Sequence, residues 1–532
     1  MRSPPSNGHP LLACSAIRAL EARGLAATPP GTLMSRAADA IADACAAMLR
    51  ALPARTPVLA LIGPGNNGGD ALLAAIRLAG RGWTVHGLGA PAAAVPSATD
   101  ALRVHAQWRA LGRMLHGPDA LDALCAERPL VIDGLFGIGL ARPLPEAAAR
   151  IARRVAELGL PVVAVDVPSG LDADRGSVVG GPDAVAFRAD LTVTMVADKP
   201  GLRTGAGAAL AGRVVVDDLG LPMLGIVPEP SAPPAHGAQP VGRLIDAAHA
   251  AALLPPPRGR DAHKGRFGDV LVVSGAARMR GAATLAALGA QAAGAGRIYI
   301  GLDDATASAD PGRPELMART LEPSAGDAEG EFGPASALVV GCGLGRDAGA
   351  SRRVASALEH PAALVLDADG LNAVAGDARL SDRLAARAAR GRPSVLTPHP
   401  LEAARLLGVP TADVQADRIG SACRLAAASG ACVVLKGAGT VVASPDGDWA
   451  INDSGGPILA VAGTGDVLAG AIAGLLAAGL PAAAAAACGV WIHGAAGDAL
   501  AASPDWRGGV GLPASRLADL IRAVVNRRAG RS

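Results

Sequence analysis

Ala462-Gly-Thr-Gly-Asp466 runs into VLAGAIAGLLA, so a glycine-rich turn opens an apolar helix and ends on a carboxylate. Backbone N–H groups at such a helix start can hold a transferring phosphoryl group while Asp466 takes the proton of an attacking hydroxyl. The bland counterpart is a tight helix entry with an acidic residue in its first turn. Residue types upstream favour the chemical reading. Lys436, in CVVLKGAGT, leaves a strand into a glycine turn, where its ammonium can meet a nucleotide phosphate and Thr440 can donate a hydroxyl. Lys264, in AHKGRFGD, repeats that arrangement. Only three lysines occur among 49 basic residues, Lys199 being the third, and this scarcity turns the usual surface reading of Lys264 and Lys436 toward function. SVLTPHP delivers His399 to a strand end, LVLDADGLN delivers Asp367, Asp369 and Asn372, and VVGCGLG delivers Gly341, Gly343 and Gly345. His399 reads equally well as a structural group or a ligand contact. Cys342 has no base near it in sequence and reads as a buried, inert thiol.

The first half carries a second constellation. VLALIG runs into Gly63-Pro-Gly-Asn-Asn-Gly-Gly-Asp70 and then a helix, which aims backbone N–H groups at an anion. Gly63, Gly65 and Gly68 satisfy GxGxxG, but the acidic ribose ligand expected roughly 20 residues later is missing, and no GK[ST] follows. A glycine turn packing helix on strand is the competing reading. VIDGLFGIGLARP places Asp133 at a strand end, and VVAVDVPSGLD places Asp166 and Ser169 past another. All three loops should meet at the carboxyl edge of one sheet, where a crevice forms. Oxygen ligands from Asn67, Asp133 and Ser169, few and mostly neutral, suit a weakly held monovalent cation better than a divalent metal. Either aspartate could equally cap a loop.

Positioning these residues requires two α/β domains. From Thr56 to Asp217, short β-branched runs (VLALIG, LVIDGL, VVAVDV, LTVTM, RVVVDD) alternate with Ala/Arg-rich stretches of helical period, the pattern of a parallel sheet covered by helices. PEPSAPPAHGAQP then reads as a linker, and a second alternation begins at Asp269. The expected division is residues 1–222, a Pro-rich linker over 223–240, and residues 241–532. Val467 to Gly497 contains no Asp, Glu, Lys or Arg, but Gly479, Leu480 and Pro481 interrupt it and alanine dominates, so two buried helices are expected rather than a membrane span.

With 532 residues, 50% hydrophobic and 18% charged, the chain has material for two or three packed cores and too little polarity for extended disorder. A net charge of +2 without a long basic run argues against nucleic-acid or membrane-surface partners and toward small molecules. Seven cysteines without a CxxC pair fit neither a disulfide framework nor a structural zinc site, and the first residues show no export signal, so a reducing cytoplasm is expected.

LMSRAADAIA, GPGNNGGD, VIDGLFGIGL and AVDVPSGLDAD, in this order, resemble the epimerase domain of the bifunctional NAD(P)H-hydrate repair enzymes from about Ala16 to Pro222. The resemblance implies a Rossmann-like three-layer αβα sandwich. It also implies a potassium site at Asn67, Asp133 and Ser169, with Asp166 beside the reacting ring as proton shuttle. Hydrate contacts are implied from Asn66, Asn67, Gly68, Gly69 and Asp70, and along Gly137, Ile138, Gly139, Leu140, Ala141, Arg142 and Pro143. Ala71 departs from the family's usual glycine, which is tolerable only if that residue is helical with negative φ.

HKGRFGDVLVVSGAARMRGAATLAA, GCGLG, LDADGLNA, LTPHPLEAARLLG, LKGAGT and GGPILAVAGTGDVLAG resemble the ribokinase-like, ADP-dependent dehydratase domain of the same enzymes over about Val241 to Leu520. That implies nucleotide contact along Lys436, Gly437, Ala438, Gly439 and Thr440 and at Gly465, and hydrate contact by Gly343, His399 and Asp466. Mg²⁺ would accompany ADP. Cys342 stands where the family commonly has proline. The function implied is epimerisation of the R and S forms of hydrated NADH or NADPH, with dehydration of the S form at the expense of ADP to give AMP and phosphate. A homo-oligomer is expected. Two rival readings stay open: a ribokinase-like small-molecule kinase in the second half, and a non-catalytic binding module in the first.

Overall fold

Two sheets, their central strands apolar and buried on both faces, organise the molecule. A computed structural model describes residues 9–89, 99–221, 242–273, 279–302, 312–321, 330–506 and 509–529. The Pro-rich segment expected over 223–240 lies outside the described residues. The chain forms two compact units, one spanning Pro10–Val241 and one holding Gly242–Ser532.

The first unit contains β1 (Val58–Ile62), β2 (Val85–Gly89), β3 (Leu130–Gly134), β4 (Val162–Val165), β5 (Leu191–Met195) and β6 (Arg213–Asp217). They pair in the order β2-β1-β3-β4-β5-β6, every neighbouring pair parallel. Alternation along β1 assigns its two faces: Val58, Ala60 and Ile62 join a core with the helices Thr32–Leu49 and Asn66–Gly80, whereas Leu59 and Leu61 join one with Leu121–Ala126 and Glu146–Glu157. Helices thus cover both sides of a parallel sheet, as the alternating runs required, and the layers form the Rossmann-like αβα sandwich that the resemblance implied. The chain leaves β1 for one side and returns as β3 on the other, so the loops after these two strands diverge and open a crevice.

The second unit contains β7 (Gly242–Ile245), β8 (Asp269–Val273), β9 (Arg297–Leu302), β10 (Met317–Thr320), β11 (Ala337–Val340), β12 (Ala363–Leu366), β13 (Ser394–Leu396), β14 (Cys432–Leu435), β15 (Val441–Ala443) and β16 (Trp449–Asn452). The order is β7-β16-β15-β14-β13-β12-β11-β8-β9-β10, parallel except where β15 pairs antiparallel with β14 and with β16. Val270, Val272, Val339, Val365, Val395 and Val434 share one face with the helices Arg280–Ala293, Thr464–Ala477 and Ala482–Ala501. Ala348–Glu359 and Arg418–Ser429 pack against strands β11 and β14.

Thr464–Ala477 and Arg280–Ala293 are in backbone contact, because glycines stand where they meet. A Cβ on Gly470 would come within 2.6 Å of the Ala286 carbonyl carbon, and one on Gly474 within 2.6 Å of the Ala290 oxygen. The charge-free stretch from Val467 to Gly497 lies in Thr464–Ala477 and Ala482–Ala501, broken at Gly479 with φ +94. No described helix is long and apolar enough to cross a membrane.

Candidate active sites at two sheet edges

In the first unit the carboxyl ends of β1, β3, β4 and β5 bring together residues as far apart in sequence as Asn67 and Lys199. Asp133 and Ser169 are completely buried and bound to one another. The Ser169 hydroxyl donates to Asp133 Oδ1 at 2.6 Å, and the Ser169 N–H donates to Oδ2 at 2.8 Å. Burial pushes the Asp133 carboxyl up to about 6, against the hydrogen bonds that favour its charge. None of the ion pairs among the described residues gives Asp133 a basic partner. The Asn67 amide nitrogen is buried without a hydrogen-bond partner. The oxygens of Asp133, Ser169 and the Asn67 amide are few and mostly neutral, a set that could hold a monovalent cation, whereas the unpartnered Asn67 NH2 is a donor and could not be a ligand.

Asp166 follows β4 with φ +67, a conformation that side chains other than glycine rarely adopt. Its Oδ1 takes Lys199 Nζ at 2.7 Å, the Thr194 hydroxyl at 3.3 Å and the Met195 N–H at 3.2 Å. Gly137, in the loop after β3, keeps space open beside Asp166: a Cβ there would stand 3.0 Å from Asn67 Oδ1 and 3.4 Å from Asp166 Oδ2. Ile138, one residue on, is held by a hydrogen bond from Arg18 to its carbonyl at 3.0 Å, while Gly139, Ala141, Arg142 and Pro143 are exposed. The helix Asn66–Gly80 starts at this crevice, with Asn66 exposed, Gly68 and Gly69 buried, and Ala71 fully buried inside the helix and absent from the positive-φ residues. Burial, then the nearby charges of Asp166 and Glu21, hold the Asp70 carboxyl well above its ordinary range.

The second unit repeats the plan. Asp466 lies in the first turn of Thr464–Ala477, after Gly463 with φ +91. Burial pushes its carboxyl up to about 6; a hydrogen bond with Cys342 opposes this, Asp367 adds to it and Lys436 opposes it. Lys436 Nζ is 2.7 Å from Asp367 Oδ1. Burial works against the ammonium, but Asp367 and Glu402 outweigh it and keep the Lys436 pKa above the usual lysine value. Cys342 Sγ and one oxygen each of Asp367 and Asp466 lie within 4.8 Å of one another, a trio that could hold a metal ion, although Lys436 already supplies a positive charge there. A Cβ on Gly465 would sit 3.4 Å from Lys436 Nζ and 3.8 Å from Asp367 Oδ2, so the missing side chain keeps this cluster approachable.

The expected residues distribute unevenly around that cluster. Gly343 has φ +69 in a loop fastened by Asp369, which accepts from the Gly345 N–H at 3.0 Å and from Arg346 at 3.0 Å. Gly437 to Thr440 leave β14 as a turn closed by the Thr440 hydroxyl on the Gly437 carbonyl at 3.0 Å, with Gly437 and Ala438 exposed. His399 caps the helix Pro400–Leu407, its Nδ1 accepting from the Glu402 N–H at 3.2 Å. Burial and the neighbouring Lys436 charge lower its pKa, which favours the neutral ring. Lys264 is exposed on the turn that leads into β8, on the amino side of the sheet, and is not brought to the cluster.

Two partnerships escaped the sequence reading. Lys199 was visible as one of three lysines, yet nothing within its own segment points to Asp166. Cys342 is buried and its thiol is held well above its ordinary value, as an inert thiol should be, but it also bonds to Asp466, 124 positions on.

A family model described as NAD(P)H-hydrate dehydratase matches residues 270–522, and one described as YjeF-related protein N-terminus matches residues 30–201. The bifunctional NAD(P)H-hydrate repair enzyme Nnr of Mycobacterium leprae is 39% identical over 518 residues, covering 96% of this chain and 98% of that protein. The enzyme of the same name from Moorella thermoacetica is 35% identical over 515 residues, 93% of this chain and 92% of that one. Among solved structures, the ADP/ATP-dependent NAD(P)H-hydrate dehydratase of Bacillus subtilis, co-crystallised with ATP and Mg²⁺, covers 53% of this chain and 96% of its own at 30% identity and a TM-score of 0.44.

Proposed function

This chain belongs to the bifunctional NAD(P)H-hydrate repair enzymes, and from that premise we propose a division of labour: residues 1–222 epimerise hydrated NADH and NADPH, and residues 241–532, a ribokinase-like domain, dehydrate the S form with ADP. The observation that carries the reading is the cluster of Asp466, Lys436 and Asp367 at a glycine-opened helix start.

Dehydration needs a better leaving group than hydroxide. Asp466 takes the proton of the C6 hydroxyl as that oxygen attacks the terminal phosphorus of ADP, and AMP departs. The ring nitrogen then expels phosphate with the C6–O bonding pair, and loss of a C5 proton restores the dihydronicotinamide. Lys436 and the N–H groups of Gly437 to Thr440 hold the diphosphate, Gly465 lets it approach, and Gly343 and the exposed edge of His399 border the hydrate. Mg²⁺ bound with the nucleotide offsets the charge of its phosphates. A carboxyl with a pKa near 6 is neutral below that value and cannot accept a proton. We therefore expect kcat/KM for dehydration to fall with acidification below pH about 6 and to level off above it, in a pH–rate series with the S hydrate.

Epimerisation breaks and remakes one bond. The ring nitrogen drives out the protonated C6 hydroxyl as water, and water returns to the other face, giving up a proton. Asp166 shuttles that proton while Asn66 to Asp70 and Gly137 to Pro143 hold the hydrate. Asn67, Asp133 and Ser169 would hold K⁺, which supplies a positive charge at the crevice beside the buried Asp133 carboxyl. We expect exchange of K⁺ for tetramethylammonium at equal ionic strength to lower the melting temperature by several degrees and slow epimerisation, and Asn67→Ala to abolish this ion dependence.

The purified chain given mixed hydrates and ADP should recover the near-ultraviolet absorbance of dihydronicotinamide, with AMP and phosphate as co-products. A stable phosphorylated product with ADP formed from ATP would instead establish a small-molecule kinase. Seven cysteines free of disulfides support a cytoplasmic location.

A further inference from the structure

Lys199 is completely buried, and its ammonium is surrounded by oxygen: Asp166 Oδ1 at 2.7 Å, Thr194 Oγ1 at 2.6 Å, the Met195 carbonyl at 3.0 Å and the Ala197 carbonyl at 3.3 Å. Among the described residues Asp166 is its one carboxylate partner. A buried ammonium is costly to maintain, so its retention asks for a reason. The backbone around it is also held in rare conformations. Asp166 has φ +67 and Val196 has φ +70, the latter a β-branched residue for which this region is a marked outlier. Val196 is pinned by donating its N–H to the Asp217 carbonyl at 2.7 Å, and Asp198 is pinned by Arg203 at 2.6 Å. Both loops are bent so that lysine and aspartate meet.

The result is an asymmetric carboxylate. Among the described residues every hydrogen bond to the Asp166 side chain ends on Oδ1. Oδ2 is turned toward the space kept clear by Gly137 and shared with Asn67. The other groups around the pair are Glu21, Asp70, Asp174 and Cys14, with Arg18 on the helix Cys14–Ala27; none of them contacts the Asp166 carboxylate directly.

We propose that Lys199 is a positioning residue of the epimerase site: with Thr194 it fixes Asp166 through Oδ1 so that Oδ2 alone faces the C6 oxygen of the hydrate. This rests on the epimerase reading above. A proton shuttle works over tenths of an ångström, and a freely rotating carboxylate would offer either oxygen at varying angles.

The test uses the full chain with Lys199→Met, Lys199→Arg and Thr194→Val. Epimerisation of the R hydrate is followed by NMR without ADP, and dehydration of the S hydrate with ADP reports on the integrity of the rest of the chain. Lys199→Met should lower kcat for epimerisation by ~10²-fold with KM nearly unchanged, and dehydration should persist. Lys199→Arg should recover part of the rate, since a cation still reaches Oδ1. Should Lys199→Met not fold, Thr194→Val decides, with an expected kcat loss of about 10-fold at constant KM. A folded Lys199→Met or Thr194→Val chain with undiminished kcat, an effect confined to KM, or an arginine variant no better than methionine would overturn the proposal. Absence of epimerisation in the unsubstituted chain would instead overturn the reading on which it rests.

Discussion

Replacing Asp466 with asparagine should cost at least ~10²-fold in dehydration while leaving the fold and ADP binding in place. The side chain is half-buried and the change is nearly isosteric, so the helix start at Gly463 and the contact with Cys342 have no cause to move. Lys436 keeps its ion pair with Asp367, and with it the local charge that a diphosphate would meet. What disappears is the ability to take a proton, which an amide lacks at any working pH. Single-turnover dehydration of the S hydrate together with calorimetric titration of ADP separates the two effects. Near-normal turnover would move the base elsewhere.

The second large effect falls on the other half of the chain. Asp166→Asn should abolish epimerisation by at least ~10²-fold and leave dehydration of the S hydrate intact. A mixed-hydrate assay then has a clear signature: recovery of dihydronicotinamide stops once the S fraction, about half of an equal mixture, is consumed. Asparagine is the informative choice because its carbonyl oxygen can still accept from Lys199. Like alanine it takes the carboxylate from that buried ammonium, a loss on the order of 3–5 kcal/mol, but alanine also removes the acceptor, so dehydration by the same chain serves as the check that it is folded. Full recovery with Asp166→Asn would favour a first domain that binds without catalysing.

The central strands of both sheets were legible in the sequence because they are short apolar runs, mostly β-branched, and parallel strands buried on both faces need no alternation to be recognised; strands such as Val85–Gly89, Met317–Thr320 and Trp449–Asn452, with mixed residues, were not. The carboxyl-edge residues were legible for the same reason. Asp133, Asp166, Asp367, His399 and Lys436 each follow an apolar run, and right-handed crossovers send all such ends to one edge. Side-chain partnerships were not legible. Whether Lys199 reaches Asp166, or Cys342 reaches Asp466, depends on which strand lies next to which and on two left-handed turns, and residue types do not encode either. Lys264 illustrates the converse: scarcity marked it out as strongly as Lys436, yet it precedes its strand instead of following it, and so it belongs to the opposite edge.

The glycines that let Thr464–Ala477 touch Arg280–Ala293 have a bearing on how the base may be altered. Two helices in backbone contact cannot slide or roll past each other as side-chain-packed helices do, so Asp466 rides on a mount with almost no play. Enlarging Gly470 or Gly474 would tilt the whole rod about its far end, and a small angle there becomes a displacement of the carboxylate at the mouth. Substitutions meant to tune this site are therefore better placed in the surrounding loops than on the rod that aims the base.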